Sequence, residues 1–143
     1  MAQLSTTRPP DEITIAVDSV TAPFWEAARD GTLVVPYCRQ CGHPRMPPTA
    51  FCPMCRSDQV DWVPVALRGH IYSYTVMSGV PGRRDLVIVP AVVALQDAPQ
   101  LRLVMDVVDA DPDDVRIGDE LSIEFMTIAD GWNYPVARRV AAG

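Results

Sequence analysis

The chain contains no lysine. All twelve of its basic residues are arginine, set against eighteen acids for a formal charge of −6. A net negative chain is a poor default partner for a phosphate backbone, which argues against a nucleic-acid-binding module. Together with abundant Ala, Val, Pro and Arg, the missing lysine fits a GC-rich bacterial genome. Long hydrophobic runs are also lacking. The longest, Leu86 to Leu95, is half of the roughly 20 residues that a membrane-spanning helix needs, and Pro90 interrupts it. The opening MAQLSTTRPPDEIT has neither the basic start nor the apolar segment of an export signal. The expectation is a cytoplasmic protein without membrane contact, in a compartment where lasting disulfides are rare. Repeats and low-complexity tracts are absent. With 143 residues, 48% apolar and 21% charged, the chain is long enough for one compact domain with a small appendage.

What the chain does have is four cysteines in one stretch, YCRQCGHPRMPPTAFCPMC, from Tyr37 to Cys55. They form two C-x-x-C pairs with ten residues between them. Zinc takes four tetrahedral ligands, with thiolate sulfur at about 2.3 Å, and each tight C-x-x-C turn points two sulfurs at one spot. Gly42, directly after Cys41, suits a turn that needs positive φ, and Pro53 stiffens the second pair. Cys38, Cys41, Cys52 and Cys55 are therefore expected to hold one structural zinc ion. Four thiolates leave no open coordination position for catalysis. A thioredoxin-like redox pair would open a helix in a βαβ setting, which this stretch does not offer. His43 inside the segment reads as a hairpin-tip residue rather than a ligand, and His70 as structural.

Residues 1–20 are polar and then aperiodic, an arm expected to order on a partner. TAPFWEAARDG follows as a short helix. Thr21 or Ala22 caps it, Pro23 sits in its first turn, and Gly31 terminates it. After Cys55, Gly and Pro punctuate β candidates at 60–67, 69–78, 85–96, 101–110 and 120–128, with YPVARRVA as a further edge strand. Ile71, Ser73, Thr75 and Met77 alternate against Tyr72, Tyr74 and Val76. Five main strands in so short a span imply a small closed barrel. The expected fold is mainly β. It comprises an arm and short helix (1–35), a zinc ribbon (36–58), and a barrel with a C-terminal extension (59–143). A ribbon beside a barrel first suggests nucleic acid. Local charge speaks against it: the eight acids between Asp106 and Glu124 face only Arg116.

The stretch from Ala22 to Met77 resembles the bacterial and archaeal family that joins a rubredoxin-like zinc ribbon to a five-stranded OB-fold. The likeness rests on the F-W-E-A helix, the four cysteines, the "PP" before "CP-x-C" and the "G-x-I-Y-S-Y-T-V" strand. The later "D-V-R-I-G-D-E" turn extends it, so that it covers roughly residues 21–128. The resemblance implies an accessory, non-catalytic subunit of an acyl-CoA-processing complex. Its partner would be a thiolase-superfamily enzyme or a hot-dog hydratase in a hetero-oligomer, with the OB-fold helping to accommodate the CoA shared with that partner. Thiolysis, acyl transfer and retro-aldol cleavage of a steroid side chain are all reactions of such partners.

Two further sets of residues stand out. Arg83 and Arg84, in the glycine-flanked loop SGVPGRRD, are either CoA-phosphate contacts or a solvated hairpin tip. Phe24 and Trp25 either cover the bottom of the barrel or anchor a partner surface. Trp132 and Tyr134 sit in a loop suited to packing against a partner.

Overall fold

The computed structural model describes residues 3–141. Its first half carries a 3-10 turn (Pro10–Glu12), helix α1 (Ala22–Arg29) and strands β1 (Leu33–Cys38), β2 (Val60–Val65) and β3 (Arg68–Tyr74). Next come β4 (Met77–Val80), β5 (Arg83–Ile88), β6 (Pro90–Leu95) and β7 (Arg102–Asp106). A second 3-10 turn (Pro112–Asp114), β8 (Glu120–Thr127) and β9 (Asn133–Arg139) complete the order. The fold is mainly β, as expected.

Five strands form one antiparallel sheet in the order β7-β6-β3-β8-β9. The sheet curls until its two edges meet. An isolated parallel bridge joins Val107 to Ala137, and the Val108 amide donates to the Ala137 carbonyl at 2.8 Å. The result is a half-barrel closed by a short seam. Gly69 shows how tightly the strands approach: a Cβ there would lie 2.5 Å from the Ala94 carbonyl oxygen. Only glycine lets β3 lie so close beside β6 at that point.

Membership of the sheet differs from the sequence expectation. Residues 60–65 do not enter it, because β2 pairs antiparallel with β1 from Leu33↔Val65 to Cys38↔Val60 and forms the base of the cysteine segment. The fifth place goes to β9, the strand expected only as an edge addition, which runs beside β8 from Leu121↔Arg139 to Thr127↔Asn133. The long runs 69–78 and 85–96 each split in two, with β4 and β5 forming a separate hairpin between β3 and β6. The alternation read across 71–77 also fails. A bulge between Ile71 and Ser73 inserts a residue, so Tyr72 and Ser73 are both exposed and Tyr74 turns inward. Its hydroxyl then donates to the Val115 carbonyl at 2.9 Å.

One continuous core holds the parts together. Phe24 of α1 and Leu33 and Val35 of β1 pack in the same cluster as Ile71, Val93, Leu95, Met105, Leu121 and Ile123 of the barrel. Helix α1 starts from a turn closed by Asp18, whose carboxylate accepts from the Val20 and Thr21 amides at 3.0 and 2.9 Å. These bonds, led by that from Thr21, hold the Asp18 pKa below the usual carboxylate range. Gly31, at φ 76°, turns the chain out of the helix into β1.

The arm is not wholly unpartnered. Ser5 is buried against the seam of the barrel: its amide donates to Ala110 and its carbonyl accepts from Asp109, both at 2.8 Å. Its hydroxyl donates to the Val107 carbonyl at 2.6 Å. Ser5 is polar in a buried place because it satisfies backbone groups of the seam.

Candidate metal centre and the surfaces around it

Strand β1 delivers Cys38 to the first cysteine turn, and the short way back into β2 carries the second. The two turns follow one plan. The Gly42 amide donates to the Cys38 carbonyl at 2.8 Å, and the Arg56 amide to the Cys52 carbonyl at the same distance. Both residues take left-handed backbone, at φ 77° for Gly42 and 66° for Arg56. The Cys38 amide reaches the His43 carbonyl, and the Cys52 amide that of Ser57, each at 2.8 Å. Each turn is thus locked before any ion is considered.

The four sulfurs lie within 4.8 Å of one another. Cys38 and Cys55 sulfurs are 3.5 Å apart, as are those of Cys41 and Cys52, and all four cysteines are free of disulfide bonds. Thiolates bound to a tetrahedral zinc at about 2.3 Å sit about 3.8 Å from each other, so the set has the size of a zinc site. The site has one structural zinc as its fitting occupant. His43 takes no part in the cluster.

Protonation explains why the cluster calls for a cation. The Cys41 backbone amide, above all, draws the Cys38 thiol down to about 5, and backbone amides of Cys55 and Met54 lower Cys52 against the effect of its burial. Cys41 is pushed up to about 12, despite the His43 amide, by partial desolvation of its sulfur and by its neighbouring sulfurs. Cys55 also rises. A divalent cation favours the thiolate form of all four cysteines at once, which couples metal binding to folding.

The other expected site residues are placed as follows. Phe24 is 8% exposed and packs in the core, and it also borders the groove that Trp25 lines. Trp25 beside it is half-buried, edge-on to Phe24 at 4.9 Å and stacked on Tyr134 at 6.5 Å between ring centres. It lines an open groove of about 310 Å³ with Met46, Pro48, Leu103, Val104 and Tyr134. Helix, cysteine segment and barrel all contribute to this apolar surface, and Val104 is 68% exposed. Trp132, by contrast, has Arg29 over its ring at 5.0 Å.

Arg83 and Arg84 part company. Arg83 starts β5 and is engaged by Glu12 of the arm and by Asp85. Arg84 is exposed and, among the described residues, forms no ion pair. Local counting also missed the partners of the acidic stretch. Arg138 of β9 pairs with Asp109 and Glu124, and Arg139 with Asp119. The register of β9 against β8 could have revealed them, but only once that pairing was known.

Fold and cysteine site together define a protein with a zinc ribbon mounted on an OB-type barrel. Residues 25–61 match the ChsH2 rubredoxin-like zinc ribbon domain, and residues 62–126 match the ChsH2 C-terminal OB-fold domain. The chain belongs to this family, also known as DUF35. It is 33% identical over 124 residues to the "Probable enoyl-CoA hydratase alpha subunit" of Thermomonospora curvata, matching 86% of this chain but spanning only 38% of that protein. A "DUF35 domain-containing scaffold protein" of Methanothermobacter thermautotrophicus is 33% identical over 95 residues, covering 65% of this chain and 71% of that one. Among solved structures, the chain is similar to one from the "Ltp2-ChsH2(DUF35) aldolase", with a TM-score of 0.78 and 31% identity over 90% of this chain and 100% of that chain. A DUF35 protein of unknown function from Sulfolobus solfataricus shares the fold alone, at a TM-score of 0.61 and 13% identity. No helix among the described residues is long and apolar enough to cross a membrane.

Proposed function

We propose that this chain is an accessory, non-catalytic subunit of an acyl-CoA-processing complex, docked on a thiolase-like enzyme. The single observation that carries this reading is the likeness to the ChsH2 chain of an aldolase complex, which covers the whole of that chain. A scaffold protein among the relatives supports the same role. The chain's own chemistry agrees with it. The four cysteines are committed to metal, and neither histidine side chain is hydrogen-bonded to a serine or carboxylate among the described residues. Nothing there assembles an activated nucleophile.

Within that reading, the partner performs retro-aldol cleavage of a side-chain acyl-CoA thioester, with steroid side chains as the substrate class. The apolar groove around Trp25 and Val104 is the surface offered to the partner, since an exposed apolar patch rimmed by three structural parts needs a cover. The loop at Arg84 faces the CoA phosphates. The experiment is co-purification from the native host, followed by identification of the bound enzyme, with wild-type chain and with Val104→Asp. Recovery of a thiolase-like enzyme with the wild type, and its loss with a Val104→Asp chain that keeps its zinc, supports the reading. Salt-sensitive retention of RNA or DNA by the isolated chain, with no enzyme recovered, would replace it by the nucleic-acid alternative.

A further inference from the structure

Among the described residues, Arg45 is the only charged side chain that is buried, at 3% exposure. A buried guanidinium needs a counter-charge and a full set of acceptors. Two acceptors are in place: Nη2 donates to the Ser57 and Gln59 carbonyls at 2.7 and 2.9 Å. Its other two nitrogens, Nε and Nη1, are buried without any partner. No carboxylate forms an ion pair with it among the described residues. The Ser57 carbonyl that it holds also accepts from the Cys52 amide at 2.8 Å, and the Arg45 amide donates at 2.9 Å to the carbonyl of Pro36, two residues before Cys38. Those two cysteines are the ligands that water does not reach. Cys38 and Cys52 are 2% and 1% exposed, whereas Cys41 and Cys55 lie at the surface.

The charge count gives this placement its meaning. A divalent ion with four thiolates carries two net negative charges, and half of that ligand set is turned into the protein. A buried dianion facing only backbone would be costly. We propose that Arg45 is the internal counter-charge of the metal centre, with its unpartnered N–H groups serving the Cys38 and Cys52 thiolates once the ion is bound. Arg45 acts through the ligands rather than on the metal, so it is a positioning residue. It tightens metal retention and makes the two inner sulfurs poorer nucleophiles.

The test compares Arg45→Lys, which keeps the charge, with Arg45→Gln, which keeps a donor for the Ser57 and Gln59 carbonyls but is neutral. Cobalt titration followed by zinc competition reads affinity, and the sulfur-to-cobalt charge-transfer band reads electron density on the thiolates. Alkylation of the zinc-loaded chain by iodoacetamide reads nucleophilicity. The Gln variant is expected to lose about tenfold or more in zinc affinity, since a unit charge a few ångströms away is worth at least that. Its alkylation should be faster and its charge-transfer band shifted, with the Lys variant near wild type in all three. A merely structural tie to the two carbonyls would leave the band unmoved and would weaken both variants alike. If the Gln chain takes up too little metal to measure, recovery by Lys still supports the proposal. Wild-type affinity and alkylation in the Gln chain overturn it, as does equal loss in Lys. A wild-type chain that binds no cobalt would instead tell against the metal centre itself.

Discussion

Gly42 and Arg56 occupy matching positions, each directly after the second cysteine of its pair, and both adopt left-handed backbone. A side chain at Gly42 would meet nothing within 4 Å, so its only penalty is conformational. Gly42→Ala should therefore cost about 1–2 kcal/mol, the ordinary cost of left-handed backbone with a Cβ. Denaturant unfolding of the zinc-loaded chain measures it, and an unchanged midpoint would refute it. Arginine at the equivalent place already bears that strain. In the β4–β5 hairpin, Arg84 is the member of its pair without an ion pair among the described residues, since Arg83 is occupied by Glu12 and Asp85. Arg84→Ala alone is the clean probe of a CoA contact. It should raise the KM of the reconstituted complex about twofold to fivefold with kcat unchanged, because exposed ion pairs are weak and salt-screened. An unchanged KM at low salt would return the loop to a solvated hairpin tip.

At the scale of elements, the arm and the strand pairings matter most. Ser5 fills the seam where the barrel's edges meet, and its hydroxyl accepts from the Ala110 amide at 3.2 Å while serving Val107. Ser5→Ala leaves a buried donor and acceptor unmet and should cost about 1–3 kcal/mol, read as a lower thermal midpoint. A loss within error would mean that water replaces the hydroxyl. This contact was not legible in the chain, because a serine among threonines and prolines gives no periodic signal. The cysteine turns were legible, since their geometry depends on spacing and a following glycine. The predominance of strands was legible too, from Gly and Pro punctuation, but their number was not, since the runs 69–78 and 85–96 each split in two. Nor were their partners: β2 and β3 are separated by two residues, yet they belong to different sheets. That choice depends on β1, whose apolar Leu33, Val34 and Val35 need a neighbour far along the chain. The bulge at Ile71–Ser73 escaped for a related reason, as it answers to the partner strand rather than to its own sequence.

For the whole molecule, the decisive fact is that the family's two domains, 25–61 and 62–126, do not have separate cores. Leu33 and Val35 lie on the strand that ends at Cys38, and they pack with barrel residues such as Val93 and Met105. Thermal unfolding of the zinc-loaded chain should accordingly show one cooperative transition, shifted down as a whole when a chelator removes the metal. Calorimetry with and without chelator decides the matter. Two transitions, with only the first sensitive to metal, would show that ribbon and barrel fold independently.

This shared core also sets an order in time. A chain leaves the ribosome N-terminal end first, so Cys38 to Cys55 emerge before any barrel strand exists. The four sulfurs can close on their ion while the rest is still being made, using turns held by local backbone hydrogen bonds. Leu33 and Val35, just ahead of the cysteines, stay uncovered until barrel residues such as Val93 and Met105 arrive. The ion can be held early, but the fold that it stabilises is complete only when the last barrel strands join the core.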